Sequence, residues 1–297
     1  MILRRKKRPL WTPTVAATGW GESTYAEQAW DKSRGASTRW AIAGLGVGIV
    51  LALVAFAPAA WLADWVASQT DQRLLLSDAR GSIWSGSAVP ILTGGRDSRD
   101  ASALPGRLEW ALVPHGFGLE LRARQACCLN GTVVLQLRPG FNRLAATLVP
   151  PSGGWVGQWP STWLGGLGTP WNTMQLGGGI RLVTPGITVE TVEGRWRLDG
   201  RADVELLNVS SRVSTLETLG SYRLTVSGGP AASGGPTRLT LSTQEGPLQL
   251  TGSGTLGPGG VRFKGEAHSG AADEAALSNL LNIIGRRDGA RSVISIG

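Results

Sequence analysis

The chain has 297 residues, a net charge of +8, a charged fraction of only 17% and 43 glycines. Trp is plentiful at 13, against 4 Phe and 2 Tyr. That length holds one large domain or two small ones, and the profile suits a glycine-rich β protein near a membrane better than a helical enzyme.

The charge is unevenly placed. Residues 1–39 hold eight Lys/Arg, including the run Arg4–Arg8, against Glu22, Glu27 and Asp31. The remaining residues are close to balanced, and their arginines are scattered. A basic tail beside a membrane segment is a topology determinant, and no basic patch with interleaved aromatics points to nucleic acid as a partner. Pro9, Pro13 and few aliphatic residues predict a disordered tail over 1–39, with a helical turn or two near Tyr25–Asp31. Trp11, Trp20 and Trp30 recur in it, either as contacts for a cytoplasmic partner or lying on the bilayer surface.

From Trp40 to Ala63 no residue is charged. A helix of that length reaches about 36 Å, enough to cross a ~30 Å hydrocarbon core. Trp40 stands at one end and Trp61 and Trp65 at the other, where indoles favour the headgroup layer. Lys32, Arg34 and Arg39 precede the segment; Asp64 and Asp71 follow. The expectation is a single-pass anchor over 40–65, with the N-terminus cytoplasmic and a domain over 66–297 on the far side of the membrane. A cleaved signal peptide is the rival, since Ala57-Pro58-Ala59 resembles a cleavage site, but the tail is long and the apolar core exceeds the usual h-region. Gly44, Gly48 and Ala52 match the small-xxx-small spacing of paired membrane helices, which would support weak homo-oligomerisation. The same residues are also ordinary constituents of an apolar anchor.

Beyond Val66 the pattern has period 2. Strands are predicted over Leu74–Ser77, Ser82–Ile91, Gly106–Val113, Gly118–Arg124, Gly131–Leu137, Thr173–Leu182, Thr188–Leu198, Gly200–Leu207, Gly220–Ser227, Pro236–Thr243, Leu248–Leu256 and Gly260–Ala267. Turn residues separate them, so the fold class is mainly β, an antiparallel curved sheet or sandwich-like domain. On the second strand the small neighbours of Trp84 make it a packing anchor across the sheet. Gly81–Val89 and Gly194–Val204 share a Gly-Trp-Gly pattern that hints at duplication. Ala271–Gly285 reads as a helix with a Leu277, Leu280, Leu281, Ile284 stripe and acids in its first turn, lying as a lid on the sheet.

Candidate chemistry is sparse. Adjacent Cys127 and Cys128, read as strand positions pointing to opposite faces, are expected neither to form a disulfide with each other nor to chelate one metal. His115 sits in a turn and His268 after a strand, outside any metal-ligand spacing, and no nucleophile elbow is present. Gly252-Ser-Gly254-Thr-Leu-Gly257 satisfies the dinucleotide pattern but is followed by a strand, so it reads as a hairpin. No catalytic, metal or cofactor-binding residue is expected. Trp155, Trp159, Trp163 and Trp171 lie among Gly and Pro, either as an exposed partner-contact loop or as a covering of the core.

Several motifs together resemble the type II secretion system protein N family. Gly81–Ala88 is similar to its Gly-x-x-Trp-Ser-Gly strand, and Leu108-Glu-Trp110-Ala-Leu-Val-Pro114 to its Trp/Pro strand. Leu219-Gly220-Ser-Tyr222 resembles its Leu-Gly-x-Tyr element. Leu280-Leu281-Asn-Ile-Ile-Gly285-Arg286 with Val293–Ile296 is similar to its terminal helix and last strand. The resemblance runs from about Trp40 to Gly297. It implies a non-catalytic inner-membrane accessory of the general secretion pathway, with other apparatus subunits as partners. Two other classes stand beside it: a membrane-anchored periplasmic β protein that binds or transfers lipid, and an envelope hydrolase or sugar-binding module using the tryptophans.

Overall fold

The computed structural model describes residues 20–192, 195–229, 235–257, 260–270 and 272–297. It divides into two compact units, Met1–Phe56 and Ala57–Gly297. The Arg4–Arg8 run and Trp11 fall outside the described residues, as does Gly194 of the hinted duplication.

The first unit carries α1, Trp20–Ala55. Its window Thr38–Ala55 is apolar and long enough to span a bilayer, and none of it is buried against protein. Trp40 is exposed, and a Cβ added at Gly44 or Gly48 would meet nothing within 4 Å. Pro58 then separates α1 from α2, Ala59–Gln69, because proline has no amide hydrogen for a helical ladder. The uncharged run is thus two helices, and Trp61 and Trp65 belong to the second unit.

That unit holds β1 (Leu74–Gly81), β2 (Ser85–Thr93), β3 (Ala101–Ala103), β4 (Leu108–His115), β5 (Gly118–Gln125), β6 (Thr132–Gly140), β7 (Arg143–Leu148) and β8 (Trp155–Pro160). A 3-10 turn Ser161–Leu167 and α3, Trp171–Met174, follow. The second half holds β9 (Leu176–Val192), β10 (Arg195–Ser211), β11 (Gly220–Gly228), β12 (Thr237–Glu245), β13 (Leu248–Gly257), β14 (Gly260–Ser269), α4 (Glu274–Ile284), β15 (Arg286–Asp288) and β16 (Arg291–Ile296). All strands join one open antiparallel sheet in the order β1-β2-β4-β5-β6-β7-β9-β10-β11-β12-β13-β14-β16-β15, with β3 on β2 and β8 on β9. The architecture is a single-sheet meander.

The expected strands are largely present, with two informative differences. Thr188–Leu198, read as one strand, is the tip of a hairpin: Val192 pairs with Arg195 across the turn. The second concerns Trp84. β1 ends at Gly81 and β2 begins at Ser85, so Trp84 lies in the connecting bend and not on a pleated face. The buried indole is that of Trp110, at 6% exposure, donating from Nε1 to the Ile83 carbonyl at 3.1 Å. A Cβ on Gly86 would come within 2.6 Å of its Cζ2, which is why a glycine follows Trp84-Ser85.

The sheet has two unlike faces. Directly opposed residues of an antiparallel pair share a face. One such row runs Leu112↔Leu121, Leu121↔Leu135 and Leu135↔Leu148, then Leu148↔Ile187. Farther along, Leu182↔Val204, Val204↔Leu224, Leu224↔Leu241 and Leu241↔Gly252 continue it. Every member is apolar. The other face carries cross-strand ion pairs, Arg143–Glu190, Arg223–Glu205 and Arg291–Glu266. Alternation of apolar and polar side chains along each strand therefore yields one wet face and one oily face over the whole sheet.

Candidate functional site

The apolar face is closed at one end and open at the other. Ala57, directly after the first unit, accepts from the Ile83 amide at 2.9 Å, and Pro58 bridges Ser82. The rim where the chain enters is therefore the one bearing the β1–β2, β4–β5, β6–β7 and β13–β14 turns. At the far rim lie the Cys127–Cys128 turn, the segment 161–174 and the helix α4.

The far rim is filled. α4 buries Leu277, Leu280 and Leu281 at 0–1% exposure, against Leu248, Ala267, Tyr222, Leu219 and Val209. Ser292 donates to the Leu281 carbonyl at 2.6 Å, satisfying one of the helix's orphan acceptors. The helix expected over Ala271–Gly285 is thus present, and its leucine stripe seals the sheet. In the Leu219–Tyr222 motif, the Tyr222 hydroxyl donates to the Leu219 carbonyl at 3.0 Å, and burial pushes the phenol well above its ordinary pKa. Gly220 supplies a φ of +142° with the Glu245 carbonyl only 2.3 Å from where a Cβ would stand.

Two expectations about this end need comment. Cys127 and Cys128 do form a disulfide, contrary to the strand argument. β5 stops at Gln125, so both cysteines sit in a turn whose amides fold back on the Gln125 carbonyl, and the alternation of an extended strand does not apply. The four tryptophans are half-buried and built into structure. Trp155 and Trp159 lie on β8, Trp155 beneath the Arg181 guanidinium at 5.9 Å. Trp163 is in the 3-10 turn, and Trp171 packs on the α4 cluster.

The entry rim is open. Leu144 (48% exposed), Val189, Val261 and Ile296 lie on the apolar face nearest it, and all four are exposed. The two-residue turns there present Phe117 and Phe141, both fully exposed. These rings are invisible to a search for motifs, being lone aromatics inside Gly-Phe-Gly and Gly-Phe-Asn turn signals. Their scarcity is the signal: Phe occurs only 4 times in the chain. A third, Phe56, ends the first unit and is also exposed. The fourth, Phe263, lies over Gly252 and Gly254, where a Cβ at Gly252 would come within 2.4 Å of its Cζ. The dinucleotide-like glycines are thus the seat of a phenyl ring on β13.

Titratable groups give little chemistry. Among the described residues no three His, Cys, Asp or Glu side chains are grouped to hold a metal. His115 lies 3.6 Å from Glu120 on an exposed turn, and His268 pairs in the β13–β14 ladder far from it. Asp78 is held below the usual carboxylate range, first by the hydrogen bond from Arg107 and then by that from Arg80.

A model of the family described as type II secretion system (T2SS), protein N matches residues 72–294. The chain belongs to that family. The match takes in every strand from β1 into β16 and stops short of α1 and α2, so family identity resides in the sheet. No curated protein and no solved structure matches the chain. As a protein N family member it is a type II secretion component.

Proposed function

We propose that this protein N family member is a non-catalytic, single-pass accessory of the secretion apparatus in the inner membrane. α1 is its anchor, and the sheet stands in the periplasm. The observation that carries the reading is the family match over the whole sheet, with an apolar helix N-terminal to it that has Arg39 at one end and, past the other, Asp64 in α2. The Cys127–Cys128 disulfide suits an oxidising compartment. Trp40 on one side and Trp61 and Trp65 on the other supply interfacial indoles, and Gly44, Gly48 and Ala52 form the face along which two anchors pair.

Action is by contact with other apparatus subunits. The partner-contact residues are Trp155, Trp159, Trp163 and Trp171, whose exposed edges flank β8, together with the short edge strand β15. Deleting the gene should lower export of folded substrates while leaving them in the periplasm. Photocrosslinkers placed at Trp159 or Trp163 should trap an apparatus subunit in intact cells. Unchanged export together with no trapped subunit sinks the reading.

A further inference from the structure

Nothing in a scaffold role requires an apolar face that runs through the whole sheet. We propose that this face shelters acyl chains of membrane phospholipid, admitted over the rim that carries Phe117 and Phe141. The proposal rests on α1 being embedded in the bilayer.

The chemistry of the face selects the occupant. Through the middle of β4 to β12 the row Leu112, Leu121, Leu135, Leu148, Ile187 offers only hydrocarbon, and Leu182, Val204, Leu224 and Leu241 extend it. A protein partner of ordinary character makes about one hydrogen bond per 100–200 Å² of interface. This band has no side chain able to make one. Gln125 and Thr237 sit at strand ends and Thr184 at the centre of β9 between Leu182 and Ile187, and all three are buried. Gln125 donates to the Pro105 carbonyl and Thr184 to the Arg201 carbonyl. An acyl chain makes no directional demand and is satisfied by such a surface.

The supply route follows from chain connectivity. One peptide unit, at most about 3.8 Å, separates Phe56 from Ala57, and Ala57 is hydrogen-bonded to Ile83 at the entry rim. Phe117 and Phe141 are two exposed rings at that rim, of the kind that an acyl–headgroup boundary stabilises instead of penalising. Leu144, Val189, Val261 and Ile296, exposed just inside the rim, continue the apolar path onto the face. Over β11 to β14 the far rim is stopped by α4, so a chain entering there has a blind end. An eight-residue strand spans about 26 Å, comfortably more than the ~15 Å of one leaflet's hydrocarbon.

The test places the photocrosslinker p-benzoylphenylalanine in the full-length protein in cells, at Leu135 or Leu224 on the apolar face and at Gln136 or Ser242 on the polar face. After irradiation, intact-protein mass spectrometry should find phospholipid adducts at the first pair and not at the second. The double variant F117S/F141S, whose exposed rings support no core, should cut adduct yield at Leu135 several-fold with unchanged thermal stability. Trapping of a second copy or an apparatus subunit at Leu135 and Leu224 overturns the proposal. So does equal lipid labelling of both faces, or no adduct at either. Alkaline carbonate extraction of the same membranes separates the two ideas. Loss of the protein from the pellet defeats the anchor, whereas firm pelleting with an unlabelled face defeats only lipid binding.

Discussion

At Gly252 a single hydrogen stands where any other residue would drive a methyl into the Phe263 ring. Gly252→Ala leaves its Cβ 2.4 Å from Cζ, so the ring or the strand must shift. Overpacking of this kind costs about 1–3 kcal/mol. We expect a lower urea midpoint for the detergent-solubilised protein with an unchanged m-value. Tyr222 is the residue for a pH experiment. Its folded-state pKa is raised by burial, so the stability it lends is fully present below the ordinary phenol pKa of about 10 and is lost as pH climbs above it. Since the chain has only 2 tyrosines, a Tyr25→Phe background isolates the signal. Absorbance at the phenolate band should then rise only as the fold opens. Tyr222→Phe removes one of the two donors on the Leu219 carbonyl and leaves the Leu248 amide, so it should cost about 0.5–1.5 kcal/mol at neutral pH and flatten the alkaline limb.

At the scale of elements, α4 and the cysteine turn carry the sharpest expectations. Leu280→Ala empties a fully enclosed site between helix and sheet and should cost about 2–5 kcal/mol, read by thermal unfolding. Intact mass under non-reducing conditions should fall two hydrogens short of the reduced chain, and alkylation should mark neither Cys127 nor Cys128. These elements also show what was legible beforehand. The leucine stripe of α4 announces itself by 3.6 periodicity, and most strands by alternation and turn residues. β7 and β8 escaped because Arg143–Leu148 and Trp155–Pro160 hold one β-branched residue each, Thr147 and Val156, and both are fixed in part by pairing with more distant β9. The disulfide escaped for a related reason: alternation holds only inside a strand, and the strand ended two residues too soon. Phe117 and Phe141 escaped because exposure of a lone ring at a tip is decided by where two strands turn.

For the molecule as a whole, the ion pairs of the polar face are at least partly open to solvent through their arginines. Such pairs contribute little and are screened by salt, whereas the apolar face is indifferent to it. Raising sodium chloride to about 1 M, where the Debye length is ~3 Å, should therefore move the melting temperature very little. A large drop would mean that Arg223–Glu205 and its neighbours matter more than their exposure allows.

The meander order has a final consequence. Nearly every strand finds its partner in the next segment of chain, so the domain behaves as a one-dimensional array in which ordering can spread from any hairpin. Insertion or loss of one hairpin between β4 and β12 would change the reach of the sheet by roughly 10 Å and leave both ends intact.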